Sequence, residues 1–248
     1  MIQIKDILSK YKTIAMIGVS NDLTKPSTIV MKYMQKYGYK VFIMVDDNST
    51  KYPSKINGVN ILQIDDKKCI SLGYKNASRT LKKNPVTWDK VFYYFSNVDT
   101  KFEHIWFIEE DVFIPRFNLI LELDKQNPTE DLLCKQDIPE ITDTEKWHWK
   151  IGKGKISKPW YRSLLCCHRQ SNRLLQRIKD YCEEKNSLLF LEMMVNTLAH
   201  QNNYKVKPLP NLQTITWRQK FKIDDILQDN LYHPMKNLKQ QKEYRKRL

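Results

Sequence analysis

Apolar runs alternate with polar, helix-like segments in the first half of the chain. Residues 13–20, 39–47 and 59–66 are largely apolar and end in serine or aspartate. Continuous apolar runs of this length are typical of strands buried on both faces. Residues 28–36 have apolar positions at helical spacing, and 65–81 contain a turn and a predicted helix. This alternation predicts an α/β fold whose mostly parallel sheet is flanked by helices, as in GT-A-like or Rossmann-like proteins.

The second half has a different pattern. Residues 88–97 fit either a strand or a helix, and 119–133 predict a helix, a linker and a short strand. Residues 161–186 form a long amphipathic stretch, which places the adjacent Cys166, Cys167 and His168 on a helix. Residues 188–200 predict an apolar helix that carries one acid.

The chain has 248 residues and no evident linker. We therefore expect a single domain over 1–248, with a nucleotide-sugar-binding half at 1–114 and an acceptor and catalytic half at 115–248. No apolar run reaches the roughly 18 residues that a membrane span needs. The first ten residues contain no apolar signal core, so we expect a soluble, cytoplasmic protein.

A net charge of +14 admits nucleic acid, an anionic surface or a phosphate-bearing substrate as partner. The lysines are spread along the chain, and only 239–248 form a concentrated basic run, which predicts a solvated or frayed end. Five cysteines at unpaired spacing favour reduced, partly buried thiols over disulfides or a zinc site.

The strongest candidate site lies in residues 105–114, which read I-W-F-I-E-E-D-V-F-I. Three consecutive acids between apolar residues place charge at the end of a buried strand, where isolated charge is costly. Side chains alternate along a strand, so Glu109 and Asp111 point to the same side and can hold a hard divalent cation. The alternative is that these acids cap a helix or lie in a solvated turn.

Other polar residues follow the neighbouring predicted strands. Gly18, Val19 and Ser20 end the first strand, and Asp46 ends the second. Because the carboxyl ends of parallel strands meet at one edge of the sheet, we expect these residues to lie beside the acidic triplet. Asp65 and Asp66 are expected to cap the helix that follows them.

With these motifs the chain resembles the GT-A glycosyltransferases, and within them the small enzymes of large DNA viruses, which would place it in the host-cell cytoplasm. In that family an acidic D-x-D motif holds Mn²⁺ or Mg²⁺ on the donor diphosphate; here Glu109-Glu110-Asp111 occupies its place as E-x-D. The resemblance implies that Glu109 and Asp111 bind the metal and that Glu110 contacts the donor.

The resemblance also implies the remaining donor contacts. Residues 18–20 and Asp46 match nucleoside contacts of the family, and Lys75 and Arg79 of G-Y-K-N-A-S-R match its nucleotide-contacting segment. A late histidine often completes the metal shell, a role that His233 of Y-H-P-M-K fits. The alternative for His233 is that it closes a turn before Pro234.

Glu192 is the candidate general base, because a lone acid on an apolar helix is costly unless it is used or paired. The alternatives are that it faces solvent or pairs with an arginine such as Arg173. An acceptor sugar could stack on an aromatic platform, whereas the same side chains could also pack in the core. The platform residues are Trp147, His148, Trp149 and Trp160.

The residues and the resemblance together predict a metal-dependent glycosyltransferase that moves a sugar from a nucleotide sugar, most simply a UDP-sugar, to a glycan or glycoprotein. Inversion is favoured because Glu192 offers a base. One rival is a non-catalytic nucleotide- or CoA-binding Rossmann-like module, suggested by T-I-A-M-I-G-V-S, although G-x-G-x-x-G is absent. The other is a basic nucleic-acid-binding protein, for which no recognition motif is present.

Overall fold

The computed structural model describes residues 38–56, 58–79, 85–98, 102–116, 118–145 and 147–248, together with the backbone of 13–19. The predicted helix at 28–36 and Ser20 lie outside the described residues. Among the described helices, none has both the length and the apolar character that crossing a bilayer requires.

Within this part of the chain, eight strands form one sheet in the order β10-β6-β9-β5-β1-β2-β4-β3. A separate pair joins β7 to β8. Both halves of the chain contribute to the large sheet. The strands are β1 Thr13–Val19, β2 Tyr39–Val45, β3 Lys55–Ile56, β4 Val59–Gln63, β5 His104–Glu109, β6 Leu132–Cys134, β7 Ile138–Pro139, β8 Tyr161–Arg162, β9 Cys167–Ser171 and β10 Val206–Pro208.

The fold is α/β, as predicted, but the expectation of a mostly parallel sheet is wrong. Only β2–β4 and β10–β6 pair in parallel. The strand β1 runs antiparallel to both β2 and β5, and β9 runs antiparallel to both β5 and β6. As a result β2, β4, β5, β6 and β10 share one direction, and their carboxyl ends lie at one edge together with the start of β9.

Six α-helices are described: α1 Asp66–Ser71, α2 Thr87–Asn97, α3 Leu119–Gln126, α4 Asn172–Lys185, α5 Leu191–Gln201 and α6 Leu238–Arg247. Asp65 caps α1 by accepting a hydrogen bond from the Lys68 amide at 2.8 Å, which confirms the predicted capping role of this residue. The ambiguous segment 88–97 is helical. The amphipathic stretch 161–186 is not one helix, because it divides into β8, β9 and α4.

The sheet is covered on both faces. Phe42 and Phe107 face one layer and pack with residues of α2, α4 and α5. Ile43, Trp106 and Ile108 face the other layer, which includes α3. Both faces are therefore apolar, which explains why these strands read as continuous hydrophobic runs.

A smaller third cluster joins the end of the chain to the segment after β5. It contains Phe113, Tyr232, Met235 and Tyr244. The helix α6 is docked there, because Tyr244 is buried and the guanidinium of Arg245 donates to the Ile114 carbonyl at 3.0 Å. The predicted frayed end at 239–248 is thus wrong.

Candidate active site

Glu109, Asp111 and His233 meet at the carboxyl-end edge of the sheet. The Nε2 atom of His233 lies 3.2 Å from Glu109 Oε2 and 3.1 Å from Asp111 Oδ1. Glu109 is the last residue of β5, and Asp111 follows it in a turn. The chain therefore brings residues more than a hundred positions apart next to one another at this edge of the sheet.

Each of these side chains is held by a neighbour. The indole of Trp88 donates to Glu109 Oε1 at 3.0 Å. The other ring nitrogen of His233, Nδ1, lies 2.7 Å from the Thr216 carbonyl, so a proton on Nδ1 directs Nε2 to the carboxylates. The Met235 amide donates to the Asp111 carbonyl at 2.7 Å and fixes the two segments to each other.

Two carboxylates and an imidazole are ligands of the kind that a hard to borderline divalent cation accepts. Among the described residues, however, the group whose ligand atoms all lie within 4.8 Å of one another is Glu109, Cys166 and His233, and Asp111 is not a member of it. A site for Mn²⁺ or Mg²⁺ at Glu109, Asp111 and His233 therefore stays a prediction.

Without a cation the cluster is balanced by a proton. Burial alone would lower the pKa of His233, but hydrogen bonds with Asp111, Cys166 and Glu109 raise this pKa to about 12. The imidazolium therefore acts as the counter-ion of the two carboxylates. A metal ion that takes the place of the proton between His233 and the carboxylates releases that proton to solvent. Metal binding at the site is therefore coupled to pH.

Cys166 is a fourth member of the cluster that the sequence did not indicate. Its sulfur, one oxygen of Glu109 and one ring nitrogen of His233 lie within 4.8 Å of one another. Burial raises the pKa of this thiol to about 12. All five cysteines are free and buried, as predicted. The helix predicted around Cys166 hid its position, since the residue directly precedes β9 and its carbonyl accepts from the Glu109 amide at 2.9 Å.

Glu192 lies in the first turn of α5, close enough to the cluster for charge coupling. Burial raises the pKa of Glu192 to about 8; Arg162 opposes the shift and the charge of Glu109 adds to it. Arg173, the arginine named as its alternative partner, pairs with Asp131 instead, and Arg162 is the arginine whose charge acts on Glu192. A carboxyl with a pKa near neutrality suits a general base.

Arg162 is occupied by two acids. Its guanidinium donates to Asp143 at 2.8 and 3.1 Å and to Glu145 at 2.5 Å. These two acids partly neutralise the charge of Arg162, which weakens its effect on the pKa of Glu192.

The first turn of α2 joins several parts of the site, although the sequence did not single it out. Beside Trp88, the buried Asp89 accepts from the amides of Ala77 and Val86 at 2.8 and 2.7 Å. The buried Lys90 donates to the Asp46 carbonyl at 3.0 Å and pairs with Asp66 at 2.7 Å. The W-D-K triplet at the start of this apolar segment is the signal that could have found these residues.

The remaining predicted donor contacts lie in two places. Asp46 directly follows β2 and is half-buried, as is Glu110 in the turn after β5. Lys75 and Arg79 lie in the segment after α1, where the Lys75 carbonyl accepts from the Leu188 amide at 3.0 Å. Arg79 lies near His148, and slight desolvation and then the charge of Arg79 lower the pKa of this exposed histidine.

Gly18 and Val19 lie at the opposite edge of the sheet, so their predicted proximity to the acids is wrong. Gly18 pairs with Ile105 near the start of β5, whereas Glu109 pairs with Ile14. The antiparallel direction of β1 is the physical reason, since it carries the end of this strand away from the carboxyl ends of its neighbours.

The four residues of the predicted aromatic platform differ in exposure and in their contacts. Trp147 is half-buried and stacks on Phe190, the residue before α5, with ring centroids 5.9 Å apart. The half-buried Trp149 donates to Asp143 at 3.0 Å. His148 is exposed, whereas Trp160 is buried and donates to the Ile156 carbonyl, so Trp160 belongs to the core.

Comparison with known proteins adds no relative: no family model matches the chain, and no curated protein matches it.

Proposed function

We propose that this protein is a metal-dependent glycosyltransferase that moves a sugar from a nucleotide sugar, most simply a UDP-sugar, to a glycan or glycoprotein. The observation that supports this function is the meeting of Glu109, Asp111 and His233 at the edge of a buried sheet. The resemblance to the GT-A family implies the same three residues, Glu109 and Asp111 through E-E-D and His233 through the late histidine of Y-H-P-M-K.

The chemistry explains why such a site needs a cation. A nucleoside diphosphate leaves as an anion, and its charge increases as the bond to the sugar breaks. Mn²⁺ or Mg²⁺ held by Glu109, Asp111 and His233 would supply Lewis-acid stabilisation of that charge. Glu110, Asp46, Lys75 and Arg79 remain the proposed donor contacts.

Glu192 is the proposed base. It takes the proton of the acceptor hydroxyl as the acceptor oxygen bonds to the anomeric carbon, and the bonding pair of the broken C–O bond leaves with the nucleoside diphosphate. Attack from the face opposite the leaving group inverts the anomeric centre. Trp147, which stacks on Phe190 beside α5, is the proposed aromatic contact of the acceptor sugar.

The antiparallel pairing of β1 with β2 departs from the mostly parallel sheet of a GT-A-like protein as much as from that of a Rossmann-like module, so strand direction favours neither function. The charge of the site weighs against the nucleic-acid-binding rival. Carboxylates at the strand ends repel the phosphates of nucleic acid unless a metal intervenes.

Thermal unfolding in the presence of nucleotide sugars tests the proposal. We expect a UDP-sugar and Mn²⁺ together to raise the midpoint of the wild type by several degrees, because both bind only the folded chain. Asp111→Asn should lose this joint effect, whereas Asp224→Asn, which changes an exposed acid far along the chain, should retain it. A panel in which no nucleotide sugar stabilises the wild type with Mn²⁺ would exclude the proposed donor site.

A further inference from the structure

We propose that Glu109, Cys166 and His233 form a second ligand set at the same site, one that binds a thiophilic cation such as Zn²⁺ in competition with Mn²⁺ or Mg²⁺. The competition rests on the proposed function, whereas the binding of the thiophilic ion depends only on these three side chains. The hard cation uses Asp111, and the thiophilic cation uses Cys166.

The spacing of the three ligand atoms suits a tetrahedral ion. Zinc bonds of about 2.3 Å to sulfur and about 2.1 Å to nitrogen and oxygen put neighbouring ligand atoms about 3.4 to 3.6 Å apart. His233 Nε2 and Glu109 Oε2 are 3.2 Å apart, and the sulfur of Cys166 lies within 4.8 Å of both partners.

The three ligands come from separate, anchored elements. Glu109 ends β5 and is held by the indole of Trp88. Cys166 precedes β9, and its backbone is bonded to that of Glu109. His233 is oriented by the Thr216 carbonyl. The cluster is thus preformed in the way that high-affinity metal sites require, with an oriented imidazole and a fixed backbone.

The chemistry of sulfur separates the two kinds of cation. Thiolate is a soft ligand that Zn²⁺ accepts readily and that Mg²⁺ and Mn²⁺ disfavour. Binding of Zn²⁺ forms a Zn–S bond, breaks the S–H bond of Cys166 and releases that proton to solvent together with the proton shared at His233. The fourth position of the tetrahedral ion is left to water.

Cobalt substitution tests the proposal without any activity measurement. Thiolate bound to Co²⁺ produces an intense near-ultraviolet charge-transfer band that oxygen and nitrogen ligands do not produce. We expect this band in the wild type and in Cys167→Ser, whose cysteine is equally buried and adjacent but does not belong to the cluster. Cys166→Ser should lack the band and bind Zn²⁺ at least about tenfold more weakly, with Mn²⁺ affinity changed by less than about twofold.

A wild-type Co²⁺ complex without the charge-transfer band would overturn the proposal, even if Cys166→Ser failed to fold. So would an unchanged Zn²⁺ affinity in Cys166→Ser, or an equal loss in Cys167→Ser. Mn²⁺ binding distinguishes the two proposals. If the chain binds Co²⁺ through sulfur but binds neither Mn²⁺ nor a nucleotide sugar, the second ligand set is supported and the proposed transferase function is contradicted.

Discussion

Among the site residues, Glu192 carries the clearest electrostatic signature. The apolar first turn of α5 disfavours its charged form, and the nearby charge of Glu109 adds to that cost, whereas Arg162 offsets part of it. The folded chain therefore holds a proton on this carboxyl up to a pH of about 8, whereas the unfolded chain loses it near pH 4.5.

The sign of the pH dependence follows directly. Between pH 4.5 and 8 the folded state binds more protons at Glu192, so the free energy of unfolding falls as pH rises through this window. Glu192→Gln has no such proton, so the wild type should lose on the order of a few kcal/mol relative to this variant between pH 5 and 9. Urea unfolding at several pH values measures the difference.

Glu183→Gln, at an exposed position of α4, controls for the removal of one carboxyl group. Parallel pH profiles for wild type and Glu192→Gln would contradict the burial of a protonated carboxyl. Because the same variant lacks the proposed base, it should also lose sugar transfer while keeping the joint stabilisation by donor and Mn²⁺.

The residues of the site were predictable to different degrees. Glu109 and Asp111 could be found because acids between apolar residues need a counter-charge. His233 came from resemblance, since nothing local to Y-H-P-M-K indicates its partners. Cys166 was not predicted because the spacing of apolar residues in 161–186 favoured a helix. The residue in fact precedes a strand, where its neighbours are different from those it would have on a helix.

At the scale of elements, the first turn of α2 is hydrogen-bonded to the residue after β2, to the end of β5 and to the segment between α1 and α2. Asp89 holds the segment between α1 and α2 by accepting hydrogen bonds from the buried backbone amides of Ala77 and Val86. Burial raises the pKa of Asp89 to about 6 even though these hydrogen bonds oppose the shift.

Asp89→Ala should lower the free energy of unfolding by about 2 to 4 kcal/mol, because it leaves the buried amides of Ala77 and Val86 without an acceptor. Asp65→Ala removes the exposed cap of α1 and should cost only about 1 kcal/mol. Denaturant unfolding compares the two. Equal losses would mean that Asp89 does not hold the segment as described.

The elements illustrate the limit of periodicity as a guide. Apolar runs identified the strands β1, β2, β4 and β5, since both faces of the sheet are covered. Strand direction depends on which distant strands pair, and a hydrophobic run carries no information about that. The antiparallel pairing of β1 with β2 and β5 therefore reversed the expected position of Gly18.

At the scale of the whole molecule, the site depends on joining the middle of the chain to its end. The segment that carries His233 is bonded to Asp111 through the Met235 amide, and α6 packs over both through Tyr244 and Phe113. A run of charged residues at a chain end gives no sign of this docking, because its few apolar positions are the ones that are buried. The basic tail thereby supports an acidic site.

Anomalous diffraction from crystals grown with Mn²⁺ and UDP tests the central claim most directly. The account predicts one manganese peak bonded to Glu109, Asp111 and His233, with the diphosphate on the same ion. Crystals in which UDP is bound elsewhere, or in which these three side chains remain hydrogen-bonded to one another with no metal peak between them, would contradict it.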